Sequence, residues 1–205
     1  MTSPLEALAS GGQSILGRTL THRELDTFDK YLKLLQKWQK TQRLIGAADG
    51  HWIVEHLFLD SLLFLKVLPP GISSIADVGS GAGVPGIPLK IARPDLRMTL
   101  IESRAKRASF LAAAVRDLEL NGVEVVSTRL EHYAQQRPGE FDAVVMRCAG
   151  DFGPLARAAS SLVVPGGLVI ASGPPAETAL RVGAWVEGPG VAPGSHRRFA
   201  VYRRS

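Results

Sequence analysis

From Ile72 onward the chain alternates short apolar runs with helix-length stretches, and no other feature restricts its fold as much. The apolar runs occupy residues 74–78, 98–102, 123–128, 141–147 and 168–172, and helical patterns fill about 84–93, 104–121, 131–137 and 152–163. This β-α-β-α rhythm predicts a parallel sheet with helices on both faces. Such sheets bind ligands outside the carboxyl ends of their strands, where the winding reverses. Residues 185–204 carry glycine and proline turns around short alternating runs, which predicts a closing hairpin.

Two helices are expected before the first strand. Thr21-His22-Arg23-Glu24 has the spacing of a capping box, in which the threonine hydroxyl and the glutamate each satisfy an orphan amide. Leu25, Phe28, Leu32, Leu35 and Trp38 then follow at spacings of three and four, placing one apolar stripe on a helix that ends near Arg43. A second helix is expected over about 52–67, stopped by Pro69-Pro70. Residues 1–20 carry Ser, Gly and Gln with little periodicity and read as a loosely held arm. The expected organisation is therefore an N-terminal arm and helical extension over 1–70 and one compact domain over 71–205. A chain of 205 residues has no room for a second large domain.

Composition excludes several classes. Hydrophobic residues at 45% with charged residues at 21% allow a sizeable core and exclude global disorder. The single cysteine, Cys148, cannot form an intrachain disulfide or a thiolate metal cluster, so no metal site is expected. No early segment has the pattern of a secretory signal, and the longest apolar run is interrupted by Asp60, Ser61 and Lys66. A cytoplasmic location without a membrane segment is the expectation. The formal net charge of +5 leans towards an anionic partner such as nucleic acid.

The first strand empties into Asp77-Val78-Gly79-Ser80-Gly81-Ala82-Gly83-Val84-Pro85-Gly86. Gly81-x-Gly83-x-x-Gly86 matches the dinucleotide fingerprint, and Glu102 stands near the spacing of its ribose-binding acid. The other register, Asp77-x-Gly79-x-Gly81-x-Gly83, puts a carboxylate before the first glycine and suits S-adenosylmethionine. That carboxylate can hold the ammonium of the methionine moiety and would repel a pyrophosphate, so charge favours the methyl donor over NAD. Glu102, at the tip of strand two, can accept hydrogen bonds from both ribose hydroxyls. Pro165-Gly166-Gly167 before an apolar run is a turn of the kind that commonly precedes strand five in methyltransferases.

Together these residues resemble the bacterial small-subunit ribosomal RNA methyltransferases of the GidB or RsmG family. The resemblance spans about residues 25–205 and is narrowest at residues 77–89, where Pro85-Gly86-Ile87-Pro88 continues the loop. His56-x-x-x-Asp60-Ser61, Glu102-Ser103-x-x-Lys106-Arg107-x-x-Phe110-Leu111, Arg129-x-Glu131, Arg147 with Ala149, and Arg197-Arg198 support it. It implies a Rossmann-like class I methyltransferase: an α/β fold with a mostly parallel seven-stranded sheet, helices on both faces and an N-terminal helical extension. It further implies S-adenosylmethionine as cofactor and N7 of a guanine in 16S rRNA, or the small ribosomal subunit carrying it, as substrate. Gly79 and Val84, with Ser80 between them, would line the cofactor loop, Leu130 and Glu131 would border the adenine, and Arg147 would stand beside the transfer centre. A monomer is expected. The chain departs from the family where Arg43-Leu44-Ile45 replaces Asn-Leu-Thr, and where Ser172, followed by Gly173-Pro174-Pro175, replaces the lysine ending strand five.

Guanine N7 carries an in-plane lone pair in its neutral form, so its methylation requires positioning rather than a general base. No Asn-Pro-Pro-aromatic tetrad of the kind used on exocyclic amines follows strand four. His56 reads as a helix-packing or capping residue. Arg104, Lys106 and Arg107 gather at the start of the helix after strand two, where the macrodipole disfavours cations, which suggests RNA contacts at the mouth of the cleft. Arg197 and Arg198, with Arg203 and Arg204, would extend that patch along the hairpin. The rivals are a small-molecule methyltransferase, an NAD-dependent oxidoreductase and a non-catalytic RNA-binding relative.

Overall fold

The computed structural model describes residues 2–147, 151–173, 179–192 and 194–205. Of the residues named above, Cys148, Ala149, Pro174 and Pro175 lie outside this set.

Seven strands form one sheet in the order β3-β2-β1-β4-β5-β7-β6. They are β1 (Ser74–Val78), β2 (Arg97–Ile101), β3 (Val123–Val126), β4 (Phe141–Arg147), β5 (Val163–Ser172), β6 (Ala184–Pro189) and β7 (His196–Arg203). The pairs among β1 to β5 are parallel, and the β6–β7 hairpin adds antiparallel to β5. The chain leaves β1 for β2 on one side while β4 pairs with β1 on the other, so the winding reverses between β1 and β4. A crevice opens there at the carboxyl ends.

Because side chains alternate along a strand, the two faces of the sheet carry separate cores. Ile75, Leu100, Val145 and Ile170 pack against helices α1 (Pro4–Leu16), α2 (His22–Gln42), α5 (Gly86–Ala92) and α6 (Ala105–Asp117). Ala76, Ile101, Val144 and Val169 face α7 (Leu130–Gln136) and α8 (Phe152–Ser160). Asp77, two residues after Ile75, therefore points to the face covered by the N-terminal helices.

The arm expected over residues 1–20 is instead helix α1, with Ser3 and Glu6 in a reciprocal capping box and Leu8 fully buried. Its glycines are packing residues: a Cβ on Gly11 would stand 2.5 Å from the side chain of Leu59, and one on Gly12 would stand 2.7 Å from that of Leu20. They are the contact points of a close helix packing, not flexible spacers. The Thr21 capping box opens α2 as expected. The next helix is continuous but irregular, with α3 (Gly50–Ile53), a π turn over Val54–Leu59, α4 (Asp60–Leu62) and a 3-10 turn over Leu63–Lys66. Phe58 of the π turn stacks on Tyr31 at 5.1 Å and meets Phe28 at 5.2 Å, locking it to α2.

Helix α2 ends on Arg43 at φ 47°, a left-handed conformation that costs a side chain other than glycine or asparagine roughly 1 kcal/mol. Arg43→Asn should therefore raise the melting temperature by roughly 3 °C in a chain of this size. Differential scanning calorimetry checks this, and an unchanged or lower midpoint would show that Arg43 makes a compensating contact.

Candidate active site

The turn after β1 is built from main-chain hydrogen bonds. The amides of Gly79 and Ser80 both donate to the carbonyl of Ile101 at the tip of β2, at 2.8 and 3.2 Å. Ser80 Oγ donates to the carbonyl of Asp77 at 2.8 Å, so the hydroxyl of this expected cofactor residue shapes the turn. Gly81 sits at φ 55° and its amide donates to Glu102 Oε2 at 2.9 Å, while Glu102 Oε1 accepts from the Arg104 amide at 2.8 Å. Glu102 thus ties the tip of β2 to the glycine loop, and each oxygen keeps a lone pair for a further donor such as a ribose hydroxyl. Gly83 follows in the turn, and Val84, partly buried, forms its rim.

Asp77 is fully buried. Its Oδ2 accepts from the Gly86 amide at 2.9 Å, and its buried Oδ1 has no hydrogen-bond partner among the described residues. Burial is the main force pushing this carboxyl up to about 7; the Gly86 amide, Ser80 and Arg147 pull it down, and Glu102 pushes it up. A buried carboxylate oxygen without a partner is costly unless a cation or a proton reaches it. The ammonium of S-adenosylmethionine is such a cation, so the residues present fit this cofactor. Asp77 would hold the ammonium, Glu102 the ribose, and the loop main chain would line the approach.

The raised carboxyl has a pH signature. A carboxyl at about 7 holds its proton through the range in which an unfolded one, near 3.8, has lost it. The folded protein then binds more protons, so this group lowers stability as pH rises from 3.8 to 7. Pairing with an ammonium requires the ionised form. Cofactor affinity should therefore rise roughly fivefold between pH 6 and 7, with a proton released on binding below pH 7. Asp77→Asn should remove that rise and weaken binding roughly tenfold or more, the loss of a charged hydrogen bond. Calorimetric titration in buffers of different ionisation enthalpy measures both, and a pH-independent wild type would break the link between Asp77 and the ammonium.

Two side chains from the helical extension, neither singled out as a site residue in the sequence, complete the crevice. Tyr31 of α2 is fully buried and donates to the carbonyl of Ala82 inside the glycine loop. Burial, reinforced by Asp77, keeps its hydroxyl protonated well beyond the ordinary tyrosine range. Its signal was its place three residues after Phe28 on the apolar stripe. Asp60 opens α4 and is 9% exposed.

Arg147 ends β4 on the other side of the crevice, with Nη2 3.5 Å from Asp60 Oδ2. Its side chain is 30% exposed. The structure brings Asp77, Gly79, Gly81, Glu102 and Arg147 to the carboxyl ends of adjacent strands, as expected. Arg197 is different: it was expected on the RNA-facing surface but turns inward. Its Nη2 donates to Asp60 Oδ2 at 3.1 Å, its Nη1 to the Gly173 carbonyl at 3.1 Å, and its Nε stands 2.9 Å from Asp60 Oδ1 as an ion pair. Arg198 pairs with Glu187 across the hairpin. Arg203 and Arg204 donate to carbonyls at Gly166 and Val163, at the amino end of β5. The register pairs Arg203 with Leu168 and Phe199 with Ser172, so β7 carries these two arginines away from the crevice.

Arg104 and Lys106 are exposed at the start of α6, and Arg107 places Nη1 3.7 Å from where a Cβ on Gly81 would stand, at the loop itself. Leu130 is buried in the second core and Glu131 lies exposed in the first turn of α7. His56 stacks on Trp52 at 4.9 Å and bonds its carbonyl, a packing and capping role. Ser172 is buried at the end of β5. Among the described residues no helix is long and apolar enough to cross a membrane, and no group of His, Cys, Asp and Glu could hold a metal.

Residues 24–176 match the model of the GidB family, described as rRNA small subunit methyltransferase G. The chain is 36% identical over 170 residues to the ribosomal RNA small subunit methyltransferase G of Xanthomonas oryzae pv. oryzae, covering 80% of this chain and 78% of that one. It is 37% identical over 156 residues to the protein of the same name from Methylobacillus flagellatus, covering 76% and 74%. Among solved structures, P. horikoshii TYW2 in complex with MeSAdo superposes with a TM-score of 0.52 at 16% identity, over 70% of this chain and 61% of that one. That likeness shows a shared fold. On the strength of the matched model and these relatives, the chain belongs to the rRNA small subunit methyltransferase G family.

Proposed function

We propose that the protein is an S-adenosylmethionine-dependent rRNA methyltransferase acting on N7 of a guanine in 16S rRNA of the small ribosomal subunit. The cofactor supplies an electrophilic methyl group on a sulfonium. The observation that supports the choice of acceptor is that, of the three carboxylates buried at the crevice, Glu102 and Asp60 are engaged by protein groups, while Asp77 is reserved in this reading for the cofactor's ammonium. Glu102 accepts two amides, Asp60 pairs with two arginines, and Asp77 has one oxygen on Gly86 and the other available to an ammonium. A site without an uncommitted base suits a nucleophile that needs none, and neutral guanine N7 is one. What remains is to fix the base in line, which can supply much of the rate enhancement. In this reading Arg147 contacts the guanine, and an unpaired loop is the RNA form whose base can be splayed into the crevice.

The test is methyl transfer by the purified protein to small ribosomal subunits and, in parallel, to a panel of small-molecule acceptors. Incorporation into 16S rRNA alone is expected. Transfer only to a metabolite would overturn the RNA reading.

RNA approach predicts a salt effect. Arg104 and Lys106 are exposed beside the crevice, and each phosphate they neutralise releases counterions, so RNA affinity should fall steeply with salt. Replacing both with alanine should flatten the slope of log affinity against log salt by about two, roughly one per lost contact. Filter binding across a salt series measures it, and an unchanged slope would place the RNA elsewhere.

A further inference from the structure

Asp60 follows directly on the π turn Val54–Leu59, a distortion that re-aims the residues after it and often marks a working position in a helix. Its carboxylate is met by two guanidiniums from distant parts of the chain. Arg197, on β7, is fixed by three contacts to Asp60 and the Gly173 carbonyl, whereas Arg147, at the tip of β4, brings Nη2 to 3.5 Å from Asp60 Oδ2. The first contact is a clamp. The second is a longer approach that sets the direction of a guanidinium. Within this trio one carboxylate between two guanidiniums leaves one positive charge, which suits the electron-rich O6 of guanine and leaves the neighbouring N7 lone pair free to attack.

We propose that Asp60 is a positioning residue: clamped by Arg197, it holds the Arg147 guanidinium in the orientation that the acceptor base requires. The helical extension is then a working part of the active site. This inference rests on the reading that Arg147 contacts the guanine. Arg197 becomes the second member of the device, acting inside the protein rather than on RNA phosphates.

A double-mutant cycle separates this role from simple pinning of the hairpin to the helices. Asp60→Asn, Arg147→Ala and the double variant are compared for kcat and KM on small ribosomal subunits, for cofactor affinity and for melting temperature. Asp60→Asn should lower kcat roughly tenfold to a hundredfold, the cost of a misplaced group, with cofactor affinity nearly unchanged. The double variant should be no slower than Arg147→Ala alone, because Asp60 acts through Arg147. Losses that multiply, or a wild-type kcat in Asp60→Asn, would overturn the proposal. A wild-type kcat in Arg147→Ala would instead remove the underlying reading of the site. Should Asp60→Asn melt below the assay temperature, the same comparison runs on Asp60→Asn with Arg197→Gln, which removes both charges of the clamp together. That pair should also lower kcat, and adding Arg147→Ala to it should leave the enzyme no slower than Arg147→Ala alone; losses that multiply would again overturn the proposal.

Discussion

Gly81→Val should abolish cofactor binding in a chain that still folds. Gly81 sits at φ 55°, where a β-branched residue is strained by about 1–3 kcal/mol. That is a few degrees of melting temperature in a chain of this size, not global unfolding. Binding suffers far more. The Gly81 amide is held by Glu102 Oε2, and a Cβ there would stand 3.7 Å from both Arg107 Nη1 and the Gly79 carbonyl, so the methyl groups of valine extend into the approach to the loop. Calorimetric titration with S-adenosylmethionine should register no heat. Near wild-type affinity in the folded variant would move the cofactor away from this loop.

Arg147→Ala should separate transfer from binding. Loss of one preorganised donor at a reacting centre typically lowers turnover about a hundredfold to a thousandfold, and a loss of that order is expected here. Cofactor affinity should change little, because Asp77 and Glu102, the proposed ammonium and ribose contacts, lie on β1 and just past the end of β2. Stability should also hold, since Asp60 keeps its closer pair with Arg197 when Arg147 is gone. Single-turnover transfer, titration and thermal melting on one preparation distinguish the roles. A large fall in melting temperature with a proportionate loss of activity would mark Arg147 as a structural cap on β4.

The sheet was legible in the sequence because strand period and turn chemistry are local. The apolar runs predicted all five parallel strands, and the tail hairpin fell where its turns placed it. The glycine loop was legible for the same reason, since Asp77, Gly79 and Gly81 lie within five residues and their spacing carries the chemistry. Helix α1 was missed although Ser3 and Glu6 spell a capping box, because Gly11 and Gly12 read as loop until the side chains of Leu59 and Leu20 explain them. The contribution of the helical extension to the site was beyond local reasoning. Tyr31 reaches Ala82 across 51 positions, and Asp60 reaches Arg197 across 137. Whether an arginine faces solvent or a buried carboxylate depends on such contacts, which is why Arg197 was assigned outward. Arg203 and Arg204 were misplaced by direction rather than by chemistry: β7 runs antiparallel to β5, so its far end lies toward the amino end of β5, away from the crevice.

The central claim, methylation of guanine N7 in 16S rRNA, is tested most directly by mass spectrometry of 16S rRNA from a strain deleted for this gene, with and without the gene restored. The account predicts that one guanine loses a single methyl group in the deletion strain and regains it on complementation, at N7 as judged by cleavage chemistry specific for that position. It also predicts no restoration by the Gly81→Val gene. Identical 16S rRNA in the deleted and complemented strains, or a methyl group at an exocyclic amine or a ribose, would contradict it.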